Sequence, residues 1–371
     1  MSGTVARRRR MGEEMRRTQK LILQLCVALM MVAGLVPAAT GARAAVPNMW
    51  GFAYVDVVMG PPPGAHQGLW TPGSVTSMPV GPPGLVEVRF PKIPLVDGVV
   101  HVTAVSPNPE WCQVVKWGPS GPDLSVLVQC YKYGGAPAYV PFTIVYEESS
   151  GLLPPPQAVA YLYYDGASVV SSYNSNAGLN SVAAGPVGVW QVTLPGLGTT
   201  PVGNLQVTAV DPAQPARCKV GNWTPNATGQ VVEVRCFDAT SKPLKTGWTL
   251  SYTRQRAITG GAMPPKYFAY TMDESPGTAG PYPPSSAWSY NPITPTNTVQ
   301  DALPFRSVTF PGVGMLPDDV QVTGFGPGPE YCQLGGLWSV GGPTAYVDKV
   351  ICFSGTAFAK QRTFVTYTSA I

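Results

Sequence analysis

The sequence contains the same unit three times, and this repetition limits the possible folds more than any other feature. Each unit begins with an Ala-Tyr pair, and the three tyrosines are Tyr54, Tyr161 and Tyr270. Successive pairs are 107 and 109 residues apart, which is the size of an independent domain and too long for a solenoid repeat. The sequence therefore predicts three tandem domains, called repeats 1, 2 and 3, at residues 49–148, 158–254 and 266–371.

The segments between the repeats are rich in proline, glycine and polar residues. They read "EESSGLLPPPQ" from Glu147 and "TRQRAITGGAMPPK" from Thr253. Because proline fixes φ and removes a backbone donor, such segments form short, stiff spacers. This composition predicts separate globules in an elongated array.

Within each repeat the apolar residues alternate with a period of two, which is typical of β-strands. In "LVEVRF", Val86, Val88 and Phe90 share one face of the predicted strand. One buried and one wetted face suit antiparallel sheets packed as a sandwich. We therefore predict an all-β chain of three tandem antiparallel β-sandwich domains, jelly-roll or Ig-like. On the strand "VVHVTA", His101 and Thr103 would point outward into solvent.

Six cysteines fall into three pairs with similar spacing, which predicts one intradomain disulfide in each repeat. The pairs are Cys112 with Cys130, Cys218 with Cys236, and Cys332 with Cys352. If each pair faces across an antiparallel hairpin, the register of the hairpin follows. The predicted facing residues are Val114 with Val128, Val220 with Val234, and Leu334 with Val350. A metal site would need neighbouring ligands, such as CxxC or nearby histidines, and the sequence contains none.

Residues 1–44 have the composition of a secretory signal peptide, with a basic start, an apolar run and an Ala-x-Ala site at Ala42 to Ala44. This segment holds eight of the 24 Lys and Arg residues and two of the 20 Asp and Glu residues. The remaining 16 positive and 18 negative charges give a mature chain near −2. The sequence thus predicts a secreted protein that binds no nucleic acid and leaves the membrane after signal cleavage.

The chain offers few residues for catalysis, since it contains only two histidines. We interpret His101 as a solvated strand residue and His66 as a loop residue without a counterpart in the other repeats. Adjacent acids occur at Glu147-Glu148, Asp273-Glu274 and Asp318-Asp319. Each pair lies in a predicted turn or linker, where charges are usually solvated. The sequence therefore indicates no catalytic residue, no cofactor and no metal, and predicts that the protein is not an enzyme.

Aromatic residues recur at corresponding positions and are the candidates for ligand contact. Three tryptophans lie five or six residues after the first cysteine of each pair. Such a residue is either a platform for a sugar ring or an anchor in the core, and packing is the favoured interpretation. The candidate ligand-contact residues are Trp70, Tyr173, Tyr290, Trp117, Trp223 and Trp338.

The motifs "FAY", "VTLPGLGTT", "NLQVTAV", "RCKVGNW", "VVEVRCFDATSKPL" and "WTLSYTR" together resemble tandem-repeat secreted β-domain proteins of actinobacteria. This resemblance implies export and β-rich domains, and it supplies no activity. Two functional classes remain. The first is a secreted, non-catalytic protein that makes weak, multivalent contacts with cell-wall glycan or an extracellular protein. The alternative is a secreted hydrolase with carboxylates in the loops of one repeat, with repeat 1 the candidate because of His66.

Overall fold

A computed structural model of the chain describes residues 48–56, 59–94, 97–263, 265–294, 296–302 and 304–371. The predicted signal peptide, residues 1–44, lies outside this range. The regular structure of the described residues consists of β-strands and one turn of 3-10 helix at Gly64–His66, so the prediction of an all-β chain is confirmed. Among the same residues, no helix is long and apolar enough to cross a membrane.

The strands follow the three repeats. Repeat 1 contains β1 (Met49–Val55), β2 (Gln67–Leu69), β3 (Thr76–Pro79), β4 (Leu85–Phe90), β5 (Val99–Ala104), β6 (Glu110–Ser120), β7 (Asp123–Lys132) and β8 (Phe142–Glu148). Repeat 2 contains β9 (Ala158–Tyr164), β10 (Val169–Asn174), β11 (Ser181–Ala184), β12 (Val189–Pro195), β13 (Asn204–Val210), β14 (Ala216–Trp223), β15 (Gly229–Asp238) and β16 (Gly247–Arg254). Repeat 3 contains β17 (Phe268–Asp273), β18 (Thr298–Ala302), β19 (Phe305–Phe310), β20 (Asp318–Phe325), β21 (Tyr331–Leu334), β22 (Ser339–Gly341), β23 (Thr344–Ser354), β24 (Ala357–Phe358) and β25 (Arg362–Ser369).

Each repeat contributes two sets of strands, which we call its inner and outer sheets. The inner sheets have the orders β2-β1-β8-β5, β10-β9-β16-β13 and β17-β25-β20. The outer sheets have the orders β6-β7-β4-β3, β14-β15-β12-β11 and β21-β23-β19-β18. In repeat 1 one hydrophobic core joins Val88 and Phe90 of the outer sheet to Val100 and Ile144 of the inner sheet. The alternating apolar residues of the sequence form this core.

The structure contains the three disulfide bonds at the pairs that the spacing predicts. The facing residues also follow the predicted register, with Val114 opposite Val128, Val220 opposite Val234, and Leu334 opposite Val350. In β6 and β14 the register then shifts by one residue at a β-bulge. A bulge turns the following side chains to the other face of the strand, so Trp117 and Trp223 point toward hydrophobic cores.

The repeats share sheets instead of standing apart. A parallel bridge joins β6 of repeat 1 to β13 of repeat 2, and another joins β14 of repeat 2 to β20 of repeat 3. A third bridge, between Val105 and Leu334, joins repeat 1 to repeat 3 and closes the ring. The prediction of separate globules in an elongated array is therefore wrong. Sheet edges carry unpaired backbone groups, and here one edge strand of each outer sheet, β6, β14 or β21, is joined to a neighbouring repeat by a single bridge.

Removal of one disulfide is expected to lower the free energy of unfolding by about 3 kcal/mol. The Cys218–Cys236 bond closes a loop with a sequence separation of 18 residues, and opening it gives the unfolded chain more freedom. The double variant Cys218→Ser/Cys236→Ser should show this loss in urea unfolding. An unchanged urea midpoint would contradict a stabilising role for the bond.

Candidate functional site

The three inner sheets bury their second faces against one another. Strands β5, β13 and β20 are buried along their whole length. The prediction that His101 is solvated is wrong, because His101 is 1 % exposed and lies against repeat 2. Gln206 and Gln321 occupy the corresponding positions and are also 1 % exposed. The polar faces of these strands are therefore internal contacts between repeats.

A cycle of threonine hydrogen bonds connects these strands around the centre of the ring. In each repeat a valine N–H donates to the threonine Oγ1 of the next repeat. The three bonds run from Val102 to Thr208 (3.2 Å), from Val207 to Thr323 (3.1 Å) and from Val322 to Thr103 (3.0 Å). Unpaired polar groups in a protein interior cost free energy. The cycle pairs the threonine of each repeated "VT" dipeptide, which explains how a polar side chain is accommodated at this internal position.

The same interior holds ionisable groups in a hydrogen-bonded chain. His101 Nε2 lies 2.8 Å from Ser251 Oγ, and Ser251 Oγ donates to Glu147 Oε1 at 2.8 Å. Burial lowers the pKa of His101 to about 3. Burial also raises the pKa of Glu147 to about 8, although the bond from Ser251 acts in the opposite direction. Both side chains are thus neutral in mildly acidic solution.

The adjacent acids of the sequence are largely buried, so the prediction that they are solvated loop charges is wrong. Asp318 and Asp319 begin β20 and are 0 % and 1 % exposed, and both face repeat 1. Asp273 forms a 2.8 Å ion pair with Arg306. Burial raises the pKa of Asp319 to about 7, against hydrogen bonds from Thr143 and Gln321. These acids join strands and repeats and do not form an accessible carboxylate pair.

The three repeated tryptophans lie at the seams between repeats. The indole of each tryptophan contacts an aromatic side chain of the next repeat. The pairs are Trp117 with Tyr163 (4.4 Å between centroids), Trp223 with Trp288 (5.2 Å) and Trp338 with His66 (5.0 Å). Trp223 and Trp338 are 5 % and 3 % exposed, which leaves no ring face for a ligand. Trp117 is only partly buried.

The other predicted contact residues are spread over the molecule. Trp70 is exposed. Tyr173 packs on Tyr161, and Tyr290 packs on Tyr270. The tyrosine of the first Ala-Tyr pair, Tyr54, contacts the His66 ring edge-on, with the centroids 6.2 Å apart.

The interpretation of His66 as a loop residue without a counterpart is wrong, because His66 occupies the position of Tyr173 and Tyr290 against the tyrosine of the Ala-Tyr pair. The sequence carries "SYN" at residues 172–174 and 289–291 in repeats 2 and 3, and "AHQ" at residues 65–67 in repeat 1, so an alignment of these segments would indicate the correspondence. The Nδ1 atom of His66 lies 2.7 Å from Asp318 Oδ1 of repeat 3.

Trp117 lines an open groove of about 390 Å³ on the outer sheet of repeat 1. Glu87, Lys116, Ser125 and Leu127 also line this groove, which we call the Trp117 groove. The carboxylate of Glu87 accepts hydrogen bonds from Ser125 Oγ (2.6 Å) and from Arg89 Nη2 (3.2 Å). Burial alone would raise the pKa of Glu87, but these two partners outweigh burial and lower it. Glu87 is thus a fixed anion in the groove.

The groove combines polar groups of both signs with the apolar side chain of Leu127, while the Trp117 ring packs on the core side of the same sheet. A sugar ring presents C–H groups on its faces and hydroxyls around its rim, so it can pack on Leu127 while its hydroxyls bond to a carboxylate. The groove volume also lies within the usual range for small-ligand sites. No group of three or more His, Cys, Asp or Glu residues in the described part of the chain could hold a metal ion. No protein-family model, curated protein or solved structure matches the chain.

Proposed function

We propose that the protein is a secreted, non-catalytic binding protein of three joined β-sandwich domains, and that it contacts cell-envelope glycan through the Trp117 groove. The observation that carries the proposal is the fixed carboxylate of Glu87 beside Lys116, Ser125 and Leu127, in a groove of about 390 Å³. Three disulfides and the absence of a membrane-spanning helix in the described residues support an extracellular location.

A glycan fits the groove better than a protein surface does. Protein partners usually bury about 800 Å² on each side around several large apolar residues. The groove has few apolar side chains, among them Leu127, and its other side chains include Glu87, Lys116 and Ser125. A single sugar held by a few hydrogen bonds matches this composition, so an extracellular protein is the second choice of partner.

The expected affinity of one groove is weak, because a few exposed polar groups and one leucine provide little binding energy. All residues that line the groove belong to repeat 1. Multivalent contact would therefore combine the groove with the exposed ring of Trp70, or would place several chains on one polymer.

Substitutions in the groove are expected to reduce glycan binding at least about tenfold without unfolding the protein. Lys116→Ala and Glu87→Gln remove the charged groups and leave Leu127 in place. Lys245→Ala removes an exposed lysine of repeat 2 and is the matched control. Affinity electrophoresis in cell-wall polysaccharides, with urea unfolding of each variant, gives both readouts. Equal retardation of all four proteins, or none, would count against the groove.

The hydrolase alternative has one supporting observation, which is that the buried Asp318 holds His66 by Nδ1. A carboxylate-oriented histidine is the general base of many hydrolases. If the protein were a hydrolase of this kind, turnover of polysaccharides or peptides would be lost in His66→Phe. Turnover that depends on His66 would replace the non-catalytic proposal.

A further inference from the structure

A cavity of about 50 Å³ lies where corresponding residues of the three repeats meet. Its lining includes Thr103, Thr208 and Thr323 of the threonine cycle, and Trp111, Arg217 and Tyr331 beside them. These are two sets of equivalent positions, one residue from each repeat. A cavity of this size has room for a few water-sized species and excludes organic ligands.

Arg217 is the cationic member of its set and is 5 % exposed. Its guanidinium lies between two rings, 4.7 Å from the centroid of Trp111 and 4.3 Å from that of Tyr331. Nη2 donates to the carbonyl of Asp238 and to the hydroxyl of Ser241, each at 3.1 Å. Nε and Nη1 are buried and make no hydrogen bond. Buried N–H groups of a cation are costly when unpaired, so Nε and Nη1 of Arg217 are two donors open to an acceptor.

Lys219 adds a second cation to the same cavity lining. Its Nζ donates to the carbonyl of Gly328 of the next repeat at 3.1 Å and lies 3.6 Å from Glu330 Oε2. Gln113 and Gln333 occupy the corresponding positions, and each donates to loop carbonyls of the next repeat in the same way. In two of the three repeats a neutral glutamine side chain makes this link to the next repeat. The charge of Lys219 in repeat 2 is therefore not needed for the fold.

Both extra cations thus come from repeat 2 and line one cavity, with Glu330 beside one of them. We propose that this cavity is an anion site, which takes a small inorganic anion of the size of chloride. The unpaired N–H groups of Arg217 would supply hydrogen bonds, and Lys219 would supply charge. The low polarity of the Trp111 and Tyr331 rings strengthens both interactions.

The test uses the full mature chain at constant ionic strength, with sodium chloride exchanged for sodium gluconate, whose anion is too large for the cavity. Chloride is expected to raise the thermal midpoint in a saturable manner, and gluconate is not. Crystals soaked in bromide should show an anomalous peak beside Arg217. Lys219→Gln copies the residue of the other repeats, so it should fold. It should raise the half-saturating chloride concentration about tenfold.

Lys245→Gln is the matched control and should respond to chloride as the unsubstituted protein does. Equal thermal midpoints in chloride and gluconate, together with no bromide peak at the cavity, would overturn the proposal and assign the space to water. A chloride response that is unchanged in Lys219→Gln, with bromide bound elsewhere, would also overturn it.

Discussion

Residues 158–254, expressed alone, are expected to remain largely unfolded even with the Cys218–Cys236 bond formed. The hydrophobic core of repeat 2 includes three residues of repeat 3, which are Met272, Phe325 and Phe364. Phe364 is fully buried, at 0 % exposure. Loss of a buried phenylalanine side chain costs about 3–5 kcal/mol. Loss of all three residues approaches the whole stability of a domain, about 5–15 kcal/mol.

The matched comparison is residues 158–371, which restore the three missing side chains. This longer chain is expected to give a dispersed amide NMR spectrum and cooperative urea unfolding, whereas residues 158–254 should give neither. In the full chain, Phe364→Ala should lower the free energy of unfolding by about 3–5 kcal/mol. A dispersed spectrum and cooperative unfolding of residues 158–254 alone would show that repeat 2 is independent.

The hairpin register could be predicted from the sequence because it depends on local information. A disulfide fixes one facing pair, and the alternation of valines then places Val220 opposite Val234. The bulge after Val220 could not be predicted, because a bulge depends on the packing of the side chains that follow it. The bulges decide the positions of Trp117 and Trp223, and hence the aromatic contacts at two of the seams between repeats.

The association of the repeats could not be predicted from the sequence, for a different physical reason. A strand face of histidine, glutamine and threonine has the same sequence pattern whether it meets water or another polar face. His101, Gln206 and Gln321 are buried because each inner sheet meets the others, and their side chains find partners only there. The recurrence of a tryptophan after each first cysteine predicts a packing role, and the three rings lie at the seams between repeats.

The buried ionisable groups are expected to make the protein most stable near pH 4 to 5. Folding raises the pKa of Glu147 from 4.5 to about 8 and that of Asp319 from 3.8 to about 7, in both cases mainly through burial. The folded chain therefore keeps protons that the unfolded chain releases as the pH rises through its own pKa values. Each carboxyl then costs about 1.4 kcal/mol of stability per pH unit until the pH reaches its folded pKa.

His101 has the opposite effect because folding lowers its pKa from 6.5 to about 3. Between pH 6.5 and pH 3 the unfolded chain binds a proton at His101 that the folded chain does not bind. The free energy of unfolding therefore falls as the pH drops from 6.5 toward 3. Between about pH 4.5 and 6.5 the stability that His101 contributes as the pH rises cancels the loss from one of the two carboxyls, Glu147 and Asp319. The steepest decline should therefore begin near pH 6.5, where only the carboxyls still act.

Single substitutions can separate these contributions in urea unfolding measured from pH 3 to pH 9. His101→Gln copies Gln206 and Gln321 and is expected to remove the loss of stability in acid while keeping the loss at higher pH. Glu147→Gln is expected to do the reverse, with a shallower decline up to about pH 8. A stability profile of the unsubstituted protein that is flat from pH 5 to pH 8 would mean that these groups titrate alike in both states. The buried chain from His101 to Glu147 would then be open to water.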